Sequence, residues 1–155
     1  MLNEDTLSNI AAERAISPKA VLRSLLMALD SGDVAAAITT LDAPFRFMDY
    51  GLGLEFIETP RLGEFWQAAR RLLSDTRLEI VSIAESADFA FAQWHLTGIT
   101  EEGSGTFKLR HAVSVQGVLV AQVTNGRITQ LSDYYDSAAS RRYKLAGQFT
   151  EWVEY

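Results

Sequence analysis

The run Asn125-Gly126-Arg127-Ile128-Thr129-Gln130-Leu131-Ser132-Asp133-Tyr134-Tyr135-Asp136 decides how this chain of 155 residues is read. Asn-Gly is the preferred centre of a two-residue type I′ hairpin, because both central positions need positive φ. The segments on either side alternate with a period of two, which predicts strands over 106–124 and 127–135. Further back, the same period predicts strands over 77–85 and 88–99, separated by turns at Ser86-Ala87 and Glu102-Gly103-Ser104-Gly105. The strand over 106–124 is too long to be regular, and Gly117 is read as a bulge that bends it.

The first half of the chain has a helical period instead. Ser17-Pro18 combines an N-cap serine with proline at the first helical position, and Val21, Leu22, Leu25, Leu26 and Leu29 then form an apolar face. Gly32 suits the C-cap, and Asp33 caps a short second helix over 34–41. The segment 4–15 reads as an extra N-terminal helix, with Leu7, Ile10 and Ala11 in register. Pro44 ends the helical run, a short strand follows over 45–50, and Gly51 and Gly53 mark a loop. Thr59-Pro60 opens another helix, carrying Leu62, Phe65, Trp66, Ala69, Leu72 and Leu73 on one face. Helices followed by an antiparallel meander give an α+β class, with the helices packed on one face of a curved sheet. No repeat or linker interrupts the chain, so 1–155 is read as one domain.

Composition narrows the chemistry. A net charge of −6, without a basic run, disfavours nucleic acid, whose phosphates need lysine and arginine. No cysteine is present, which excludes a disulfide framework, a thiol nucleophile and a cysteine metal site. Only His95 and His111 are available as imidazoles, so a three-histidine metal site is excluded too. Gly103-Ser104-Gly105 does not open a helix and is not a phosphate loop. The start of the chain is acidic, and the apolar stretch 113–123 is short and interrupted, so neither a signal peptide nor a membrane span is expected. A cytoplasmic protein without metal or organic cofactor is the expectation.

The order helix, Ser31-Gly32-Asp33, short helix, strand ending in Asp49, helix and four-strand meander resembles the nuclear-transport-factor-2-like superfamily. Within it, the chain looks most similar to the SnoaL-like branch, which includes polyketide cyclases and limonene-epoxide-hydrolase-like proteins, with ketosteroid isomerases more distant. Leu29-Asp30-Ser31-Gly32-Asp33, Trp94-His95-Leu96-Thr97-Gly98 and the stretch from Asn125 to Asp136 carry the resemblance, over about 18–137. It implies a cone-shaped fold around one pocket, a small-molecule substrate or ligand and a homodimer. Residues 138–155 extend past that core. Tyr143, Leu145, Phe149, Trp152, Val153 and Tyr155 make this tail apolar enough to lid the pocket or to pack on a second subunit.

Three groups can carry acid–base chemistry. Asp133 shares a strand face with Leu131 and Tyr135, and that face is expected inward, opposite Ile128, Gln130, Ser132 and Tyr134. A carboxyl among apolar groups holds its proton more tightly and can act as a general acid or base. In epoxide-hydrolase relatives, the first Asp of a comparable Asp-aromatic-aromatic-Asp motif lies in the pocket. His95 shares a face with Phe89, Phe91 and Gln93 and is expected to pair with Asp133. Asp49 falls where the isomerase pattern carries its proton-abstracting Asp, although the isomerase tyrosine aligns with Leu25. The Arg-x-Asp segment of the epoxide hydrolases aligns with Gln93-Trp94-His95, so only Asp133 of their Asp–Arg–Asp set is retained. Gln93, Tyr135, Phe47, Trp66 and Phe91 are the expected substrate contacts, the aromatic ones being equally readable as plain core. The reading is a cofactor-independent enzyme for isomerisation, cyclisation or epoxide opening on a small apolar metabolite. Its alternative is a non-catalytic ligand-binding or dimerisation module.

Overall fold

The computed structural model describes residues 16–136 and Ala138. The helix expected over 4–15 and the apolar side chains of the tail 138–155 lie outside the described residues. Helix α1 (Pro18–Ser31) begins as the sequence predicts. Ser17 Oγ accepts from Ala20 N–H at 3.1 Å, and Pro18 fills the first turn. It ends at Gly32, whose φ of 78° closes the last turn through Ala28 and Leu29 carbonyls. Asp33 caps α2 (Val34–Thr39) through Ala36 N–H at 2.9 Å. Helix α3 spans Thr59–Arg71.

Six strands follow: β1 (Leu41–Asp49), β2 (Leu54–Phe56), β3 (Ser74–Ser86), β4 (Phe89–Glu102), β5 (Leu109–Thr124) and β6 (Arg127–Tyr135). They form one open sheet in the order β2-β1-β6-β5-β4-β3. The β1–β6 pair is parallel and the others are antiparallel. Helix α1 lies over β3, β4, β5 and β6, while α3 contacts α2, β2 and β3. The core is the layer between helices and sheet, where Leu22, Leu25, Leu26 and Leu62 meet Ala90, Ala92, Val113, Leu119 and Leu131.

Three expectations need correction. The second helix stops at Thr39 rather than at Leu41, and β1 starts at Leu41 rather than at Phe45. Pairing with β6 decides this: Leu41 aligns with Ile128, and Ile128 N–H donates to Thr40 O at 2.8 Å. Pro44 is tolerated because it falls in the register shift between Leu41 and Arg46, where the ladder is already interrupted. Second, β2 follows the glycine loop and aligns Phe56 with Phe47. Three residues are too short for a periodic signal. Third, Gly117 is not a bulge, since β5 keeps unbroken register with β4 on one side and β6 on the other at that point. The irregularity lies on β6 at Thr129, between Ile128 and Gln130. It rotates Ile128 out of the polar row expected for it and buries it completely.

Candidate active site

The parallel β1–β6 pair places Asp49 directly beside Asp133. Both point to the helix-covered face, because Leu131 and Phe47, two residues earlier on each strand, are buried there. Backbone bonds lock the arrangement. Tyr50 N–H donates to Asp133 O at 2.9 Å, and Gly53 N–H donates to Asp49 O at 2.8 Å.

Each carboxyl has an aromatic donor of its own. Tyr135 Oη donates to Asp49 Oδ2 at 3.1 Å, and Trp94 Nε1 donates to Asp133 Oδ1 at 2.9 Å. The two rings meet edge to face, 5.8 Å apart. Each also lies over a glycine. A Cβ on Gly51 would overlap the Tyr135 ring, and one on Gly117 would overlap the Trp94 indole and the Tyr134 carbonyl. Neither glycine has a positive φ. Their shared role is clearance for the two donors.

The pair lines a cavity of about 210 Å³. Leu26, Phe47, Trp66, Leu78 and Leu119 supply apolar wall. Burial pushes the Asp133 carboxyl well above the usual carboxylate range, and the neighbouring Asp49 charge adds to this, with the Trp94 indole opposing. Asp49 is also raised by burial, but less, because Leu52 N–H (2.8 Å), Tyr135 and Gly51 stabilise its charged form. Burial and the same two carboxyls push the Tyr135 hydroxyl upward, so it stays protonated and donates. The dyad is therefore asymmetric, with Asp133 holding its proton more tightly than Asp49. Tyr135→Phe should cost about 1 kcal/mol in denaturant unfolding and move the Asp49 titration, followed by carboxyl NMR, to higher pH.

Asp133, Asp49, Tyr135, Phe47 and Trp66 line the cavity, and among the candidates from sequence these are the ones brought together. His95, Gln93 and Phe91 are not. They occupy the opposite sheet face, where His95 Nε2 lies 2.8 Å from Ser114 Oγ, Gln93 meets Ser82, and Phe91 stacks on Phe89. The expected Asp133–His95 pair is thereby corrected. Trp94, one position along, takes the place beside Asp133. The register contains the signal for this. Even positions of β4 align with odd positions of β5, and Val113, Val115, Leu119 and Ala121 make the odd row of β5 the apolar one. Small Ala90 and Ala92, not the bulky Phe89 and Phe91, thus lie under α1. His95→Ala should leave ligand affinity of the cavity unchanged to within about 0.5 kcal/mol, measurable by titration calorimetry.

Arg70, which sequence reading passed over, also lines the cavity, with its Nη1 donating to Leu29 O and Asp30 O at 3.2 and 3.1 Å. Among the described residues no three His, Cys, Asp or Glu side chains converge as a metal site, and no helix is long and apolar enough to cross a membrane.

A profile for the SnoaL-like domain matches residues 22–131, which is most of the chain. The chain belongs to the SnoaL-like domain family. Its fold is similar to that of AclR, a candidate hydroxylase from Streptomyces galilaeus. The TM-score is 0.68 at 16% identity, over 83% of this chain and 85% of that one. A candidate polyketide cyclase from Pseudomonas putida gives 0.66 at 16% identity, over 90% and 99% of the two chains. A candidate SnoaL-like polyketide cyclase from Shewanella putrefaciens gives 0.66 at 14% identity, over 79% and 91%. No curated protein sequence matches the chain. At these identities, SnoaL-like structures establish the fold of this protein and not its reaction.

Proposed function

We propose that this SnoaL-like protein is a cofactor-independent enzyme that moves protons on a small, largely apolar metabolite. Asp49 accepts a proton from a carbon of the substrate, the freed electron pair shifts toward a substrate oxygen, and Asp133 protonates that oxygen. Asp133 takes back the enol proton as Asp49 returns its proton to a different carbon, which completes an isomerisation. In a cyclisation the enol carbon attacks a second carbonyl, Asp133 takes back the enol proton and Asp49 protonates the new alkoxide. With an epoxide, Asp133 protonates the opening oxygen while Asp49 takes the proton of an attacking water.

The observation that carries the reading is the asymmetric carboxyl pair, side by side in an apolar cavity, one member pushed further up than the other. General acid–base groups contribute about 10²–10⁴-fold each. Against a panel of enols and epoxides, Asp49→Asn and Asp133→Asn should each lose turnover by that order. Retained turnover in both variants removes the dyad from the mechanism. Binding of panel members without turnover by the native protein supports a ligand-binding module instead.

The homodimer belongs to the same proposal. Phe89, Phe91, Val118 and Tyr134 are exposed together on the outer sheet face, as is Tyr50, stacked on Tyr134 at 4.6 Å. Light scattering should give twice the chain mass, and a monomer would rule the homodimer out.

A further inference from the structure

Proton transfer on a neutral substrate requires neither a set of aromatic rings around the carboxyl pair nor a pair without an ion-pair partner. The Oδ2 atom of Asp133 has no hydrogen-bond partner among the described residues, although Oδ1 is held by Trp94. Around the two carboxyls stand four rings that line the same cavity, those of Phe47, Trp66, Trp94 and Tyr135. The charged or titratable groups facing the dyad are Tyr135 on its own strand and Arg70 from α3. Helix α1, β3, β4 and β5 contribute Leu26, Leu29, Thr76, Leu78, Trp94, Leu96, Val115 and Leu119, none of which carries a charge. Arg70 is committed by its Nη1 to the last carbonyls of α1. The lining thus holds two carboxyls and one cation, Arg70, whose Nη1 is bonded to the α1 carbonyls and not to either carboxyl.

We propose that the ligand of this cavity carries a positively charged nitrogen, as a small tertiary or quaternary amine with an apolar body, seated beside Asp133 and Asp49 among those rings. This rests on the reading that the cavity is the substrate site, and not on the proton chemistry assigned to it. Aromatic faces attract alkylammonium groups through their quadrupole, most strongly where water is excluded. A cation beside two carboxyls removes their mutual repulsion and favours ionisation of both. A bare divalent metal fits less well, since it requires more oxygen ligands than one carboxyl pair provides.

Benzyltrimethylammonium and its neutral isostere neopentylbenzene form a matched pair of probes, because the cation keeps its charge at every pH. Titration of the native protein should give a dissociation constant about tenfold or more lower for the cation, equivalent to about 1.4 kcal/mol. Its affinity should tighten as pH rises from neutral to alkaline, because the dyad must release its proton to pair with the charge. Asp49→Asn should abolish the difference between the two probes at neutral pH, and Asp133→Asn should remove the tightening with pH, while neopentylbenzene still binds both variants and so reports a folded cavity. Equal or tighter binding of neopentylbenzene to the native protein overturns the proposal, as does failure of the cation to bind at millimolar concentration. The acid–base reading fails separately, through unchanged turnover in the Asp49→Asn and Asp133→Asn variants.

Discussion

The Asp133→Asn protein should melt above the native protein at neutral and alkaline pH while losing proton transfer. In the folded state, burial and the neighbouring Asp49 hold the Asp133 proton to a pH well above the usual carboxylate range. In the unfolded chain, the same group titrates at about 3.9. Between these limits the native state binds more protons than the unfolded state, so stability falls as pH rises. The slope is about 1.4 kcal/mol per pH unit, and it flattens once the native group also ionises. Stability from the protonated carboxyl is therefore complete in acid and lost through the native titration. Asparagine keeps an acceptor for the Trp94 indole and has no proton to lose, so the variant escapes this decline. Thermal unfolding at matched pH should show both proteins melting together in acid and diverging upward from there. Coincident melting curves at alkaline pH would show that Asp133 ionises without penalty, and the asymmetric dyad would have to be abandoned. A carboxyl that costs stability at working pH is expected of a functional group and is unneeded for folding.

A loss of stability is expected from Gly117→Val. In most central strand positions valine is favourable, because a branched side chain packs well on a pleated surface. Here its Cβ would enter the Trp94 indole and the Tyr134 carbonyl. The indole has little room to retreat, since the Tyr135 ring stands edge to face with it and its Nε1 is bonded to Asp133. Overpacking of this kind costs roughly 1–3 kcal/mol or more. Loss of the Asp133 hydrogen bond adds about 1 kcal/mol. Urea unfolding should report the destabilisation, and near-ultraviolet circular dichroism should report the displaced tryptophan. Had Gly117 been the bulge that sequence reading assigned, its conformation would have mattered and Trp94 would not. An unchanged tryptophan signal in Gly117→Val would show that Trp94 does not need the space over that position.

Much of the fold was legible because it rests on local chemistry. Ser17-Pro18, Gly32-Asp33 and Asn125-Gly126 each mark a boundary through capping or turn geometry that a few neighbouring residues decide, and all three boundaries stand in the structure. The extension of β1 back to Leu41 and the short β2 were not legible. Both exist through hydrogen bonds to strands far away in the chain, and neither segment has enough residues for a period.

The candidate site divides along the same line. Asp133 is identified from its place in an alternating row, a local property, and Asp49 from the resemblance to the isomerase pattern at the end of a strand. The partner of Asp133 was misassigned because a shift of one residue exchanges the two faces of a strand, and β4 carries aromatic residues on both. The sequence by itself determined the α+β class, the element order and the two carboxyls. Only the tertiary structure decided that those carboxyls are neighbours, that Trp94 rather than His95 serves Asp133, and that Gly51 and Gly117 are empty to admit two rings. The reason is physical. A strand period specifies alternation, but which row faces the helices depends on the pairing register, the bulge at Thr129 and the packing of α1, all set between segments distant in sequence.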